Sequence, residues 1–194
     1  ISETIKLIEE AEKSQADIAV GNYEVEDIRT NRVVIQDLNL RSPQIGIGLN
    51  PGIWRMIFLK EFLADVEFPE LSMGEDQVFL QRAINQECNF IVRNFVVYRY
   101  RTGIPSQLTR NIDRSKDIVP AHELAVAEFN PRGKLRKMTM TMLIRQELTI
   151  LKKSECVPKI QTNLIISLLK KIFLSPEILL EVLIYKLVSL RRKI

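Results

Sequence analysis

Cysteine and histidine are scarce in this chain, and their scarcity excludes several kinds of site. The two cysteines, Cys88 and Cys156, lie far apart and have no partner at metal-ligand spacing. The pattern therefore fits neither a zinc site nor a disulfide framework, and reduced thiols in a cytoplasmic protein are expected. The single histidine, His122, falls on a predicted helix without partners, which favours a structural role.

Long uncharged apolar runs are absent as well. A helix that spans a bilayer needs about 18 or more apolar residues in a row. The apolar C-terminal stretch is interrupted by charges at Lys170, Lys171, Glu177, Glu181 and Lys186. The sequence therefore predicts no bilayer-crossing helix. Low-complexity segments and repeats are also missing, and a chain with 46% apolar and 27% charged residues is typical of a globular protein.

Charge is divided unevenly along the chain, whose formal net charge is +4. Residues 1–131 hold 14 Lys and Arg against 20 Asp and Glu, a balance of −6, whereas residues 132–194 hold 14 against 4, a balance of +10. A basic tail predicts an anionic partner, either a membrane surface or a nucleic acid. Nucleic acid is the weaker alternative, because only Phe173 and Tyr185 are available there to stack on bases.

The basic residues near the C-terminus are interleaved with Leu, Ile and Phe at helical spacing. They are Lys170, Lys171, Lys186, Arg191, Arg192 and Lys193. This composition favours a helix lying on an anionic bilayer. The alternative is that these helices pack on the rest of the chain or on a second copy in a homo-oligomer, and the sequence leaves both open.

The first third of the chain predicts a helix followed by strands. Ser2–Lys13 has a capping serine and apolar residues at helical spacing. Short runs rich in β-branched residues predict strands at Ala16–Val20, near Tyr23–Ile28 and at Arg32–Ile35. The segment Gly46-Ile47-Gly48 lacks the third glycine of a phosphate-binding loop and is interpreted as a turn.

The middle of the chain continues the alternation of helices and strands. Asn50-Pro51 provides a capping residue and a first-position proline, and apolar residues at helical spacing from Ile53 to Phe62 predict a helix. Another helix is predicted after Gly74-Glu75-Asp76, and two short strands at Phe90–Val92 and Phe95–Tyr100. The pattern is that of an α/β protein.

Strand signals stop near Ser115, and helical signals replace them. Apolar residues then recur at helical spacing in three blocks separated by Pro158 and Pro176. The sequence therefore predicts three helices after Arg132. It divides into an α/β part over residues 1–114 and a helical extension over residues 115–194.

Three groups of residues stand in an order typical of the second half of one enzyme family. They are Gly52–Phe58 with Phe62-Leu63, then Phe68-Pro69 before Gly74-Glu75-Asp76, then Val97–Arg101 before Ser106. In these residues, together with the Ala16–Val20 strand, the chain resembles family 2 glycosyltransferases. The resemblance implies a partial GT-A (Rossmann-like) domain over residues 1–114, followed by the helical extension.

The resemblance assigns chemistry to the Glu-Asp pair. It implies that Asp76 is the general base and that Glu75 orients the base or the acceptor, with Gly74 and Trp54 on the acceptor side. An acceptor hydroxyl is a poor nucleophile until a positioned carboxylate takes its proton. Free N–H groups in the first helical turn lower the pKa of such a carboxyl, while the adjacent Glu75 raises it, and the sequence does not decide between them.

Each of these residues also has a simpler interpretation. An exposed helix N-terminus favours acidic residues such as Glu75 and Asp76 without any catalytic role. Trp54 has the spacing of a core residue. Arg99 and Arg101 suit phosphate binding through their bidentate donors, and they fit equally well on a solvated strand face.

One departure from the family bears on activity. Family members bind the nucleotide and a divalent metal, Mg or Mn, through an Asp-x-Asp motif in an N-terminal half, and this chain has no such motif. We therefore expect that the nucleotide-sugar donor binds through a missing half, and that the chain alone is inactive. The resemblance implies an inverting transferase that acts on a saccharide or lipid-linked acceptor in bacterial surface polysaccharide synthesis.

Its expected location is the cytoplasm or, as a peripheral protein, the inner face of the cell membrane. The alternative is a non-catalytic module, derived from such an enzyme, that binds a membrane surface or another protein.

Overall fold

The protein has a mixed α/β fold in which helices pack on a four-stranded mixed sheet. The computed structural model describes residues 2–36, 43–105, 117–128, 135–152, 158–174, 176–180 and 182. The helices are α1 Ser2–Lys13, α2 Pro43–Leu49, α3 Glu75–Asn85, α4 Ile118–Ala127, α5 Arg136–Lys152 and α6 Pro158–Leu174. Residues 176–180 and 182 are also helical.

The sheet is built around its longest buried strand. Its strands are β1 Ile18–Asp27, β2 Arg32–Gln36, β3 Met56–Phe58 and β4 Phe90–Thr102. On one side of β1 lies β4, parallel to it. On the other side of β1 lie two strands, both antiparallel to it. Strand β3 pairs with the first half of β1, and strand β2 pairs with its second half. The centre of the sheet is therefore β1, which places its residues at the middle of the molecule.

One hydrophobic core joins the sheet to α3 and α5. It includes Ile18 and Val20 of β1, Phe79 and Leu80 of α3, and Met138 and Met142 of α5. Burying a side chain of this size stabilises the fold by about 1.5–3 kcal/mol. A second cluster packs α2 against α5 and the helical residues after α6, through Ile45, Ile144, Ile178 and Val182. Helix α5 therefore belongs to both clusters.

The helix predicted from Ile53 to Phe62 is wrong. A 3-10 turn at Ile53–Arg55 leads into strand β3, and a second 3-10 turn follows at Glu61–Leu63. Met56–Phe58 pairs with β1, so backbone hydrogen bonds to a neighbouring strand replace those of a helix. The helical spacing of the apolar residues was a local signal that tertiary pairing overrode.

The turn predicted at Gly46-Ile47-Gly48 is also wrong, because these residues lie inside α2. A Cβ added at Gly48 would lie 2.6 Å from the carbonyl oxygen of Met138 and 2.6 Å from Cβ of Thr141, both on α5. The glycine therefore permits close packing of two helices, which a glycine-rich sequence does not distinguish from a turn.

Two pairs of predicted strands turn out to be single strands. The segments Ala16–Val20 and Tyr23–Ile28 merge into β1, and the segments Phe90–Val92 and Phe95–Tyr100 merge into β4. The two strands run parallel over their whole length, with irregular register between Val20 and Tyr23. Because the two strands pair with each other continuously, both keep strand conformation across residues with weak strand preference. The predicted helices at Ser2–Lys13 and after Asp76, and the strand at Arg32, are confirmed.

Helices α4, α5 and α6 are held together by a buried carboxylate. Oε1 of Glu147, on α5, accepts hydrogen bonds from Ser167 Oγ at 2.7 Å and Lys171 Nζ at 2.6 Å, both on α6. Nε2 of His122, on α4, lies 3.2 Å from the same oxygen. His122 thus has a partner that the sequence did not reveal, and Lys171 faces protein rather than an outer surface.

Two of the helices predicted after Arg132 are confirmed as α5 and α6, and the third is helical where it is described. The basic residues Lys186, Arg191, Arg192 and Lys193 lie outside the described residues, as do Cys156 and Ser106. Within the described ranges, every helix falls short of the length and apolarity needed to cross a bilayer.

Candidate functional site

Asp76 lies in the first turn of α3, two residues after Gly74, the glycine that caps the start of the helix. Gly74 has φ +89° and ψ 1°, a left-handed conformation that favours glycine. A Cβ at this position would lie 2.7 Å from Cβ of Ala121 on α4. Gly74 therefore turns the chain and lets α4 approach, and both effects orient Glu75 and Asp76. Its predicted contact with an acceptor stays a prediction.

The ionisation of Asp76 is decided by its surroundings. Burial is the largest influence and, with the charge of Glu75, raises the pKa of the Asp76 carboxyl to about 6. Backbone hydrogen bonds at Gln77 and Asp76 and the charge of Arg145 lower the pKa by less. The side chain is nevertheless half-buried rather than sealed. At neutral pH it is therefore an ionised carboxylate with an unusually strong affinity for a proton.

Arg145 of α5 is a residue of the candidate site that the sequence did not single out. Its Nη1 donates to Oε1 of Gln77 at 3.4 Å, next to Asp76 in the chain. Burial lowers the pKa of Arg145, whereas Asp76 and Tyr23 raise it. An arginine remains a cation under these influences. The available signal was the polar run Arg145–Glu147 between apolar residues in the middle of the helix.

Four aromatic rings form a cluster that is partly open to solvent. Trp54 lies edge-on to Tyr23 at 4.8 Å between ring centroids, tilted on Tyr98 at 4.4 Å and stacked with Tyr100 at 5.5 Å. Gly52 allows this placement, because a Cβ there would lie 2.4 Å from the Trp54 ring. Trp54 is 36% exposed and Tyr98 is 39% exposed. Trp54 is therefore a surface aromatic and not the core residue that its spacing suggested.

Tyr23 connects the aromatic cluster to the carboxylate. Its ring touches Trp54, and Tyr23 lies near enough to Arg145 to raise the pKa of that guanidinium, as Asp76 does. The guanidinium of Arg55 lies 5.3 Å from the centre of the same ring. The structure thus brings Asp76, Trp54 and Arg145 into one region around Tyr23, a buried residue of β1.

Arg55 supports this region from inside the protein. It is 1% exposed and donates to the carbonyl oxygen of Gly21, at 3.3 Å, and to that of Asn50. It follows Trp54 in the short 3-10 turn Ile53–Arg55, and Trp54 lies in the aromatic cluster. Arg55 therefore fixes the loop that carries Trp54.

Arg99 and Arg101 lie apart from this region. Side chains alternate between the two faces of a strand, so Tyr98 and Tyr100 occupy one face of β4 and the two arginines occupy the other. In register with them on β1 lie Glu24 and Glu26, which accept hydrogen bonds from Arg99 and Arg101. The structure does not bring the arginines together with Asp76, and their phosphate-binding role stays a prediction.

The described side chains include no group of three or more His, Cys, Asp or Glu residues that could hold a metal ion. The divalent metal that the resemblance implies for a full-length family member therefore stays a prediction. Comparison with protein-family models gives no match, and neither the curated proteins nor the solved structures contain one. Asp76, Arg145 and the aromatic cluster must be interpreted from their own chemistry.

Proposed function

We propose that this chain is the acceptor-side portion of an inverting glycosyltransferase of family 2, which transfers a sugar from a nucleotide-sugar donor to a saccharide or lipid-linked acceptor. The observation that carries the proposal is the half-buried carboxylate of Asp76, whose pKa is raised to about 6. A general base works best when its pKa lies near the operating pH. In this proposal the mixed sheet is the second half of a GT-A domain.

The proposed reaction uses Asp76 as the proton acceptor. The oxygen of the acceptor hydroxyl attacks the anomeric carbon of the donor while its proton passes to the Asp76 carboxylate. The bond from the anomeric carbon to the nucleoside diphosphate breaks, and the diphosphate leaves from the opposite face of the sugar. The configuration at that carbon is therefore inverted.

The neighbours of Asp76 have distinct roles in this proposal. The partly exposed ring of Trp54 offers an apolar surface beside which an acceptor sugar ring can lie. Backbone hydrogen bonds and the charge of Arg145 oppose the effect of burial on the pKa of Asp76. Donor and metal binding are assigned to a nucleotide-binding half that these 194 residues do not include, as the resemblance implies.

The test is sugar transfer by a protein that joins this chain to the sequence encoded immediately upstream of Ile1. We expect label from a nucleotide sugar to appear in an acceptor, and Asp76→Asn to lower the rate by about 100-fold or more because the general base is lost. The matched control is Asp65→Asn, a change of an exposed aspartate ahead of α3, which should leave the rate unchanged. The 194 residues alone should give no transfer.

Two results would count against the proposal, and they differ in meaning. Full turnover by folded Asp76→Asn would show that another group is the base. An upstream sequence without a nucleotide-binding half or an Asp-x-Asp motif, together with no transfer from a panel of nucleotide sugars, would remove the glycosyltransferase assignment itself.

A further inference from the structure

The outer side of α6 exposes a stripe of large apolar side chains. Phe173 is 86% exposed and Leu169 is 59% exposed, and Ile165 and Ile166 are each about half exposed. With about 3.6 residues per turn, these four positions fall within an arc of roughly 100° on the helix. A continuous apolar stripe on a helix of a folded protein indicates a surface that meets an apolar medium or partner.

The opposite side of α6 is already occupied. Lys171 and Ser167 donate to the buried Glu147 of α5, and Leu168 packs against the cluster that joins α2 to α5. These contacts set the rotation of the helix. The apolar stripe therefore faces outward because the inner face is held by α5.

Positive charge borders the stripe. Lys170 is exposed and lies roughly 40° beyond Ile166 around the helix axis. Residues 132–194 as a whole carry a balance of +10. An apolar stripe edged by lysine is typical of a helix that lies at a lipid–water interface.

We propose that α6 is a docking surface for an anionic lipid bilayer, with Ile165, Ile166, Leu169 and Phe173 inserted at the headgroup boundary and Lys170 against lipid phosphates. Basic side chains near such a surface are attracted to its negative potential. A second copy of the chain fits less well, because it would bring an equally basic helix against this one. A standard protein interface also uses about 20–30 residues a side, many more than the stripe contains.

The proposal is independent of Asp76 and of sugar transfer. Co-sedimentation of the 194-residue chain with vesicles tests it directly, using phosphatidylcholine alone and phosphatidylcholine mixed with phosphatidylglycerol. We expect binding to the anionic vesicles only, weakened by added salt because screening reduces the attraction. Asp76→Asn should bind as the unmodified chain does, so this test and the transferase test can fail separately.

The decisive variant is the double substitution Leu169→Ser with Phe173→Ser. We expect it to reduce partitioning onto anionic vesicles by about tenfold or more, since the inserted apolar surface is removed. The control is Val33→Ser with Ile35→Ser, which changes two exposed apolar residues on β2 and should leave binding unchanged. Lys170→Glu should weaken binding to anionic vesicles without affecting folding, which circular dichroism checks for every variant.

Several outcomes would overturn the proposal. One is no sedimentation with anionic vesicles at low salt. Another is binding that the Leu169→Ser, Phe173→Ser variant retains in full, because the basic tail would then act without α6. A third is that the unmodified chain does not bind vesicles but forms a dimer, detected by light scattering, and that the double variant is monomeric. The stripe would then bind a second copy of the chain.

Discussion

At the scale of single residues, Asp76 combines two properties that usually exclude each other. Its carboxyl is removed from water far enough for burial to raise its pKa to about 6, yet the side chain remains half-buried and can be reached from solvent. At pH 7 most molecules therefore hold a charged carboxylate in a poorly solvated place. Such a charge costs stability, and the cost can be measured.

The first residue-scale prediction concerns the stability of Asp76→Asn. The folded-state pKa of about 6 lies above the ordinary value of 3.8, so the folded protein binds the proton more tightly and loses stability as pH rises from about 4 to 6. Asn removes that loss. We expect the variant to be more stable than the unmodified chain by roughly 2 kcal/mol at pH 7 and equally stable near pH 4.

Urea unfolding of both proteins at pH 4, 5.5 and 7 measures this difference. Asp65→Asn, at an exposed position, provides the control for the loss of one negative charge. A gain from Asp76→Asn that is equal at all three pH values would mean that the substitution acts through packing and not through the ionisation of Asp76.

The second residue-scale prediction concerns Arg145. Its positive charge lowers the pKa of the Asp76 carboxyl, so Arg145→Met should raise that pKa further. Titration of the carboxyl carbon of Asp76 by NMR in the 194-residue chain measures the shift. The control is Lys137→Met, which removes an exposed cation from the same helix. An unchanged Asp76 pKa in Arg145→Met would remove Arg145 from the site.

At the scale of elements, α5 is the helix that connects the parts of the molecule. Arg145 serves the candidate site, while Glu147, about 200° around the helix axis, holds α6 on the other side. Thr141 packs against Gly48 of α2. One helix therefore links the candidate site to the helix that we propose docks on lipid.

The element-scale prediction concerns the buried Glu147. Burial opposes its ionisation, but hydrogen bonds from His122, Lys171 and Ser167 outweigh that effect and lower the pKa of Glu147. The folded-state pKa is thus below the ordinary value, so this group stabilises the protein at neutral pH, and the stabilisation is lost as pH falls through the folded-state pKa. Glu147→Gln should cost roughly 3 kcal/mol at pH 7, because Lys171 is left without a counter-charge.

Urea unfolding at pH 7 measures this cost, and a second variant separates its causes. Glu147→Gln with Lys171→Met should be less destabilised than the sum of the single changes, because the two groups interact directly. Additive effects would contradict the pairing of the two helices through this carboxylate. In Glu147→Gln alone we also expect proteolysis to begin near α6.

At the scale of the whole molecule, charge and packing divide the chain differently. The sequence places a balance of −6 in residues 1–131 and +10 in residues 132–194, which would orient the molecule with its C-terminal part towards an anionic surface. The core does not follow that division. Met138 and Met142 of α5 pack in the same cluster as Ile18 of β1 and Phe79 of α3.

Some of this architecture could be predicted from the residues alone. Ser2–Lys13 and α3 were predicted because each has apolar residues at helical spacing, and Ser2–Lys13 also has a capping serine, which are local properties. The segment from Ile53 to Phe62 carries the same signals and is not a helix, since Met56–Phe58 pairs with β1. A long-range partner of this kind leaves no mark within the segment.

The sequence by itself determined the alternation of helices and strands, the basic C-terminal part and the position of Asp76 at the start of a helix, because spacing, capping and charge count are properties of neighbouring residues. Only the tertiary structure decided that burial raises the pKa of Asp76 and that the charge of Arg145 acts on that carboxyl. It also decided that Trp54 packs against three tyrosines and stays partly exposed. These features depend on segments far apart in the chain. Desolvation and charge interactions act through space, and only the packing of α3, α5 and the sheet sets those distances.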